Sequence, residues 1–123
     1  MTFLDNFLNL PVYSLKDIRI ANDRPSSLFS VIVTDTSMEG VGIPYGAKVV
    51  VNPFEECRSM DVALVGYCGK AAIRKVCYMP DGRVQLISTR QSYFVPLNLG
   101  ENSPNFAVYG KVCWVISTPH HGL

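Results

Sequence analysis

Six runs rich in β-branched and aromatic residues, each ended by a turn signal, constrain the fold of this chain more than any other feature. They are LFSVIVT (Leu28–Thr34), AKVVVN (Ala47–Asn52), VALVGY (Val62–Tyr67), KAAIRKVCYM (Lys70–Met79), RVQLIS (Arg83–Ser88) and FAVYGKVCWVIS (Phe106–Ser117). Such residues suit the pleated, half-buried surface of a sheet. Between the runs stand IPYG, NPFEE, CG, PDG and GENSPN, whose prolines preset turns and whose glycines and asparagines tolerate positive φ. PDG between two runs predicts a hairpin, and CG between Tyr67 and Lys70 predicts another. The expected class is mostly β.

The chain before Leu28 reads differently. Thr2 can cap a short helix with Asp5 in its first turn, and Phe3, Leu4, Phe7 and Leu8 then share one face. Pro11 would end that helix. Val12–Ser27 has few apolar residues and contains NDRPSS, the composition of a connector. The expected layout is a helix and connector over 1–27, a β domain over 28–118 and a disordered tail over 119–123.

The chain has 123 residues, 48% apolar and 17% charged, enough for one folded domain with a core. A net charge of +1 gives no strong electrostatic case for nucleic acid or acidic membranes. Any role at DNA would therefore be indirect. No apolar run approaches the roughly 20 residues of a membrane span. The N-terminus is acidic where a signal peptide would be basic, so a cytoplasmic location is expected. Cys57, Cys68, Cys77 and Cys113 form no C-x-x-C pair and match no zinc spacing. Buried free thiols are expected, with no metal and no cofactor.

Two stretches bear on chemistry. Gly40, Gly42 and Gly46 superficially suggest a dinucleotide loop, but a strand follows them where a phosphate cradle needs a helix. Glycines that permit a tight turn are the better account. Ser37, in TSMEGVGIPYGAKVVV, is on pattern alone a turn or solvated residue. No G-x-S-x-G elbow surrounds it, and His120 and His121 lie in the tail. A serine hydroxyl needs a base to attack anything at neutral pH, and lysine can serve when desolvated.

TSMEGVGIPYGAKVVV resembles the serine segment of the LexA/UmuD/lambda-repressor family of self-cleaving proteins. CRSMDVALVGYCGKAAIRKV resembles the run to that family's catalytic lysine. STRQSYFVPL resembles its P-x-N-x-x-Y/F-x-P-I segment, with Gln91 in place of the usual Asn. FAVYGKVCWVIS resembles its closing strand. The likeness runs without gaps from about Phe29 to Ser117. It implies a LexA/signal-peptidase-like fold of small, strongly twisted β-sheets and a Ser–Lys dyad that cuts the protein's own linker. By position the nucleophile falls on Ser37 and the lysine on Arg74. Guanidinium stays charged at any accessible pH, so Arg74 cannot take a proton from Ser37. Lys75 is the alternative base, but strand alternation turns it to the opposite face from Arg74. Arg74 either covers a strand edge or hydrogen-bonds Ser37 or a neighbouring carbonyl. The family's Ala-Gly cleavage bond is absent, and the single Cys-Gly, Cys68-Gly69, sits in an expected hairpin.

The resemblance thus implies a non-cleaving member whose remaining work is assembly. The expected state is a homodimer, with Phe106, Tyr109 and Trp114 of the closing strand as interface candidates or, alternatively, core residues. The segment before the first run is too short for a helix-turn-helix bundle. DNA would be reached through such a domain in a full-length protein, or through a separate protein partner. The competing expectation is an active, UmuD-like peptidase using Ser37 and Lys75.

Overall fold

A computed structural model describes residues 10–18, 27–67, 70–95 and 106–116. Eight strands run in chain order: β1 (Val12–Ser14), β2 (Phe29–Ile32), β3 (Lys48–Asn52), β4 (Asp61–Tyr67), β5 (Lys70–Tyr78), β6 (Val84–Ile87), β7 (Ser92–Phe94) and β8 (Phe106–Ile116). All six expected runs are strands. They join in one sheet of order β1-β2-β3-β8-β4-β5-β6-β7, in which only the β1–β2 pair is parallel. The mostly β class therefore holds, with one continuous hydrogen-bonded sheet joining what was expected as several small ones. Register shifts at Val50/Val51 and at Leu64/Val65 interrupt both flanks of β8, and such bulges sharpen strand twist.

Both predicted hairpins form. Met79 N–H donates to Arg83 O at 2.8 Å and Gly82 takes φ 89°, closing β5 onto β6. Tyr67 pairs with Lys70, closing β4 onto β5. The stretch read as a connector supplies β1 and a 3-10 turn at Leu15–Asp17, whose Leu15 is buried. The helix expected at Thr2–Leu8 and the tail over 119–123 lie outside the described residues.

Alternation along the strands feeds two cores. Phe29, Val31, Val33, Val49, Val51, Leu64 and Ile73 line one, together with Met38 and Ile43 of the β2–β3 connection. Ala63, Val65, Val76, Leu86 and Val95 line the other. β4 and β5 contribute to both, which is why VALV and KAAIRKV read as near-continuous apolar runs instead of alternating ones.

Candidate functional site

Ser37 stands in the connection from β2 to β3. Val33 N–H donates to Ala47 O at 2.8 Å and Gly46 N–H to Val33 O at 2.8 Å, so the strands close beneath the turn. A 3-10 turn at Glu39–Val41 follows, ended by Gly42 at φ 88°. Met38, 1% exposed, anchors the turn in the first core. Ser37 itself is half-buried. Its N–H donates to Asp35 Oδ1 at 3.1 Å, and its carbonyl accepts Thr89 N–H at 2.6 Å. Gly40 N–H donates to Thr89 Oγ1 at 2.7 Å. The serine backbone is thus fixed locally by Asp35 and across the chain by Thr89. Among the described residues its hydroxyl makes no hydrogen bond.

Arg74 lies mid-way along β5. Ile73 joins the first core and Val76 the second, so Arg74 and Lys75 project to opposite faces and only one of them can face Ser37. Arg74 shares its face with Ala72 and Val76. Its cross-strand neighbour on β4 is Ala63, and Ala63 pairs in turn with Lys111 on β8. Lys75 pairs with Ile87, the last residue of β6, and Ser88 beyond it turns back to bond the Gln91 carbonyl. Ser88 precedes Thr89, the residue bonded to the Ser37 carbonyl. The Thr89 bond thus ties the serine turn to the end of β6, and among the described residues no hydrogen bond joins the side chains of Ser37 and Arg74. The half-buried Arg74 donates from Nη1 to the Ile73 carbonyl at 2.7 Å, and its buried Nε has no acceptor. Its bond is to the carbonyl of its own chain neighbour, Ile73, and among the described residues it makes none to Ser37.

The other end of that row is fully paired. Lys111 Nζ lies 3.2 Å from Glu55 Oε1 and 3.5 Å from Asp61 Oδ2. Those carboxylates hold the Lys111 ammonium above its usual range, the Glu55 hydrogen bond most of all. Asp61 also accepts Arg58 N–H at 2.8 Å. Beside this cluster opens a cleft of about 650 Å³, lined in part by Phe54, Cys57, Tyr78, Val108 and Gly110. Burial pushes the Cys57 thiol up, only partly offset by its hydrogen bond with Tyr78, and burial pushes the Tyr78 hydroxyl up as well. These are protonated, weakly reactive groups. Cys57, Cys77 and Cys113 are free thiols. Among the described residues no cluster of His, Cys, Asp and Glu fits a metal ion.

On β8, Phe106 packs against the second core and Tyr109 against the first. Trp114 is 49% exposed. It ends the cross-strand row Val12–Ser30–Val50–Trp114, whose inner members Ser30 and Val50 are fully buried.

Sequence reasoning missed three supporting residues. Asp35 had a local signal, since Asp two residues before a turn amide commonly caps it. Thr89 and Ala63 had none, because their roles come from pairing with distant segments.

The chain matches the model of the family described as Peptidase S24-like over residues 5–113. No curated protein matches it. A match over most of the sequence, on a mostly β fold, makes this chain a member of the Peptidase S24-like family, the LexA/UmuD group of domains.

Proposed function

We propose that this domain is the assembly and regulatory part of a LexA-like or phage-type repressor, with its Ser–Lys dyad degenerate at Arg74. The observation that carries the reading is the state of Arg74. A permanently charged guanidinium stands where the resemblance puts the lysine, and it bonds the Ile73 carbonyl, while among the described residues the Ser37 hydroxyl has no hydrogen-bond partner. A group that cannot release a proton cannot activate serine. What remains is pairing of subunits, which makes the second of two DNA contacts intramolecular and raises its effective concentration. DNA is then gripped by a helix-turn-helix domain in the full-length protein or by a separate partner. Trp114, with the exposed Val12 in its row and Ile32 on the same face of β2, supplies an apolar surface for the homodimer. Phe106 and Tyr109 then support the strand from the cores.

One observation favours a second reading, an active serine peptidase. The Ser37 backbone is held by Asp35 and Thr89, the kind of fixed placement a nucleophile needs. In that reading Lys75 is the base.

Sedimentation equilibrium is the first test. A dimer of micromolar or tighter affinity, weakened at least tenfold by Trp114→Ala, is expected; a strict monomer overturns the assembly reading. The dyad is tested by alkaline incubation with a linker peptide containing Ala-Gly. Wild type is expected to leave it intact and Arg74→Lys to cut it, with the cut lost in Ser37→Ala/Arg74→Lys. Wild-type cleavage that disappears in Lys75→Ala would instead establish the peptidase.

A further inference from the structure

We propose that the Asp81-Gly82 bond is a site of covalent modification, where the turn converts spontaneously to isoaspartate, and that Arg83 holds the reaction in check. The inference is independent of the reading of Ser37 and Arg74.

Local chemistry picks the place. An aspartate or asparagine followed by glycine is open to attack by the next backbone nitrogen, because glycine puts no side chain in the way. Asp81-Gly82 is the one such pair in the 123 residues. It forms the turn between β5 and β6, and both residues are exposed.

The reaction balances within the turn and needs only water. The Gly82 nitrogen gives up its proton and bonds Asp81 Cγ. A Cγ–O bond breaks, and the carboxyl oxygen leaves as water with the carboxyl proton and the amide proton. A second water then opens the cyclic imide. Breaking the bond from Cγ to nitrogen restores aspartate. Breaking the bond from the Asp81 backbone carbonyl carbon to nitrogen gives isoaspartate, with Cβ carried into the main chain. That longer main chain would disturb the turn that sets Tyr78 opposite Val84.

Three hydrogen bonds oppose the first step. Arg83 N–H donates to Asp81 Oδ1 at 3.0 Å, and Arg83 Nε donates to Oδ2 at 2.6 Å. Both carboxyl oxygens are therefore held, and they are held as the anion, the poorer electrophile. The Arg83 backbone amide, and after it the guanidinium, keeps the Asp81 carboxyl below its usual range. Among the described residues Arg83 is the charged group acting on Asp81. The attacking nitrogen is held as well, since Gly82 N–H donates to Met79 O at 3.0 Å. The guanidinium in turn lies over the Phe94 ring, 4.3 Å from its centroid, so β7 helps to fix it. An exposed ion pair adds little to stability. Here it acts on geometry and protonation, which set the rate.

The test keeps the intact protein at neutral pH and body temperature for weeks. Isoaspartate at Asp81 is measured by electron-transfer fragmentation of its proteolytic peptides. A blocked peptide with the sequence of Tyr78–Val84 is the unfolded reference. It is expected to isomerise roughly tenfold faster than the folded wild type. Arg83→Ala is expected to raise the folded rate about threefold, and Phe94→Leu to raise it less. Loosening of the hairpin alone would also raise the rate, so the rate is followed against pH. Freed from Arg83, the carboxyl stays protonated to higher pH, and the descending limb of the profile should move up with it. Loosening alone would scale the profile without moving it. Equal rates in peptide and folded protein would overturn the restraint. An unchanged rate in Arg83→Ala, or a scaled but unmoved profile, would overturn the role of Arg83. A peptide free of isoaspartate would overturn the site itself.

Discussion

Lys111 and Arg74 flank Ala63 in one cross-strand row, one strand to either side, yet the two halves of that row are built on opposite plans. The Lys111 half is closed. Its ammonium meets two carboxylates, and Asp61 also takes the Arg58 amide. The Arg74 half is open. Its guanidinium bonds a carbonyl of its own strand, and among the described residues its Nε has no acceptor. Native proteins pair their buried polar groups, so an exception marks a place where something other than stability has been selected. The difference separates a half whose polar groups are satisfied from one that leaves a buried donor unsatisfied.

The largest expected effect is on the closed half. A methyl at Gly110 would meet Val51 Cγ1 at 2.6 Å and Asn52 O at 2.9 Å. The carbonyl belongs to β3 and cannot yield without parting β3 from β8. Gly110→Ala should destabilise the fold by roughly 3 kcal/mol in urea denaturation, the upper range of overpacking. A loss under about 1 kcal/mol would show that the closed half adapts, and would weaken the contrast.

Next comes the comparison itself, tested on its two cations. Arg74→Met removes a half-buried charge that has no counter-ion among the described residues and should stabilise the protein by about 1–2 kcal/mol. Lys111→Met strands Glu55 and Asp61 and should not stabilise it; its effect should shrink as salt rises. If both variants shift the urea midpoint in the same direction by the same amount, the two halves are not different in kind.

How much of this was legible in the sequence follows the range of the forces involved. The six long strands declare themselves because β-branched residues and turn chemistry are local signals. β1 and β7 do not. Each is three residues long, too short to show a period, and β1 is held by parallel pairing to Phe29–Ile32, far along the chain. Ser37 and Arg74 are singled out as positions by the order of motifs along the chain. Their bonding is not, because Thr89 and Ala63 reach them only through tertiary pairing. That Arg74 bonds Ile73 instead of Ser37 is a rotamer choice, and no sequence pattern encodes it.

A smaller effect belongs to the serine turn. A methyl at Gly40 would meet Thr89 Cγ2 at 2.7 Å, and Gly40 N–H already bonds Thr89 Oγ1. The obstacle here is a side chain, so Gly40→Ala should cost only about 1 kcal/mol. It should also loosen the Thr89 grip on Ser37. Thr89→Ser removes Cγ2 and keeps the hydroxyl, so Gly40→Ala/Thr89→Ser should regain most of the loss. A double-mutant cycle reads this as a favourable coupling; strict additivity would mean that the turn does not lean on Thr89.

The smallest expected effect returns to the closed half and concerns pH. Burial raises the thiol pKa of Cys57 and of Cys113 in the folded protein. Unfolding restores the ordinary value, so above the usual thiol range the unfolded chain binds fewer protons than the folded one. Stability should therefore be unaffected by these groups below that range and fall gradually as pH rises beyond it. Both thiols are partly exposed, so the slope should be shallow. It should flatten further in Cys57→Ala/Cys113→Ala, measured by urea midpoints between pH values of about 8 and 10. In the folded protein the same protonation should slow alkylation by iodoacetamide at neutral pH relative to the urea-unfolded chain, since the thiolate is the nucleophile. Rapid alkylation of Cys57 in the native state would mean that its cleft is an open, reactive site, and the division of the row into a satisfied and an unsatisfied half would have to be redrawn.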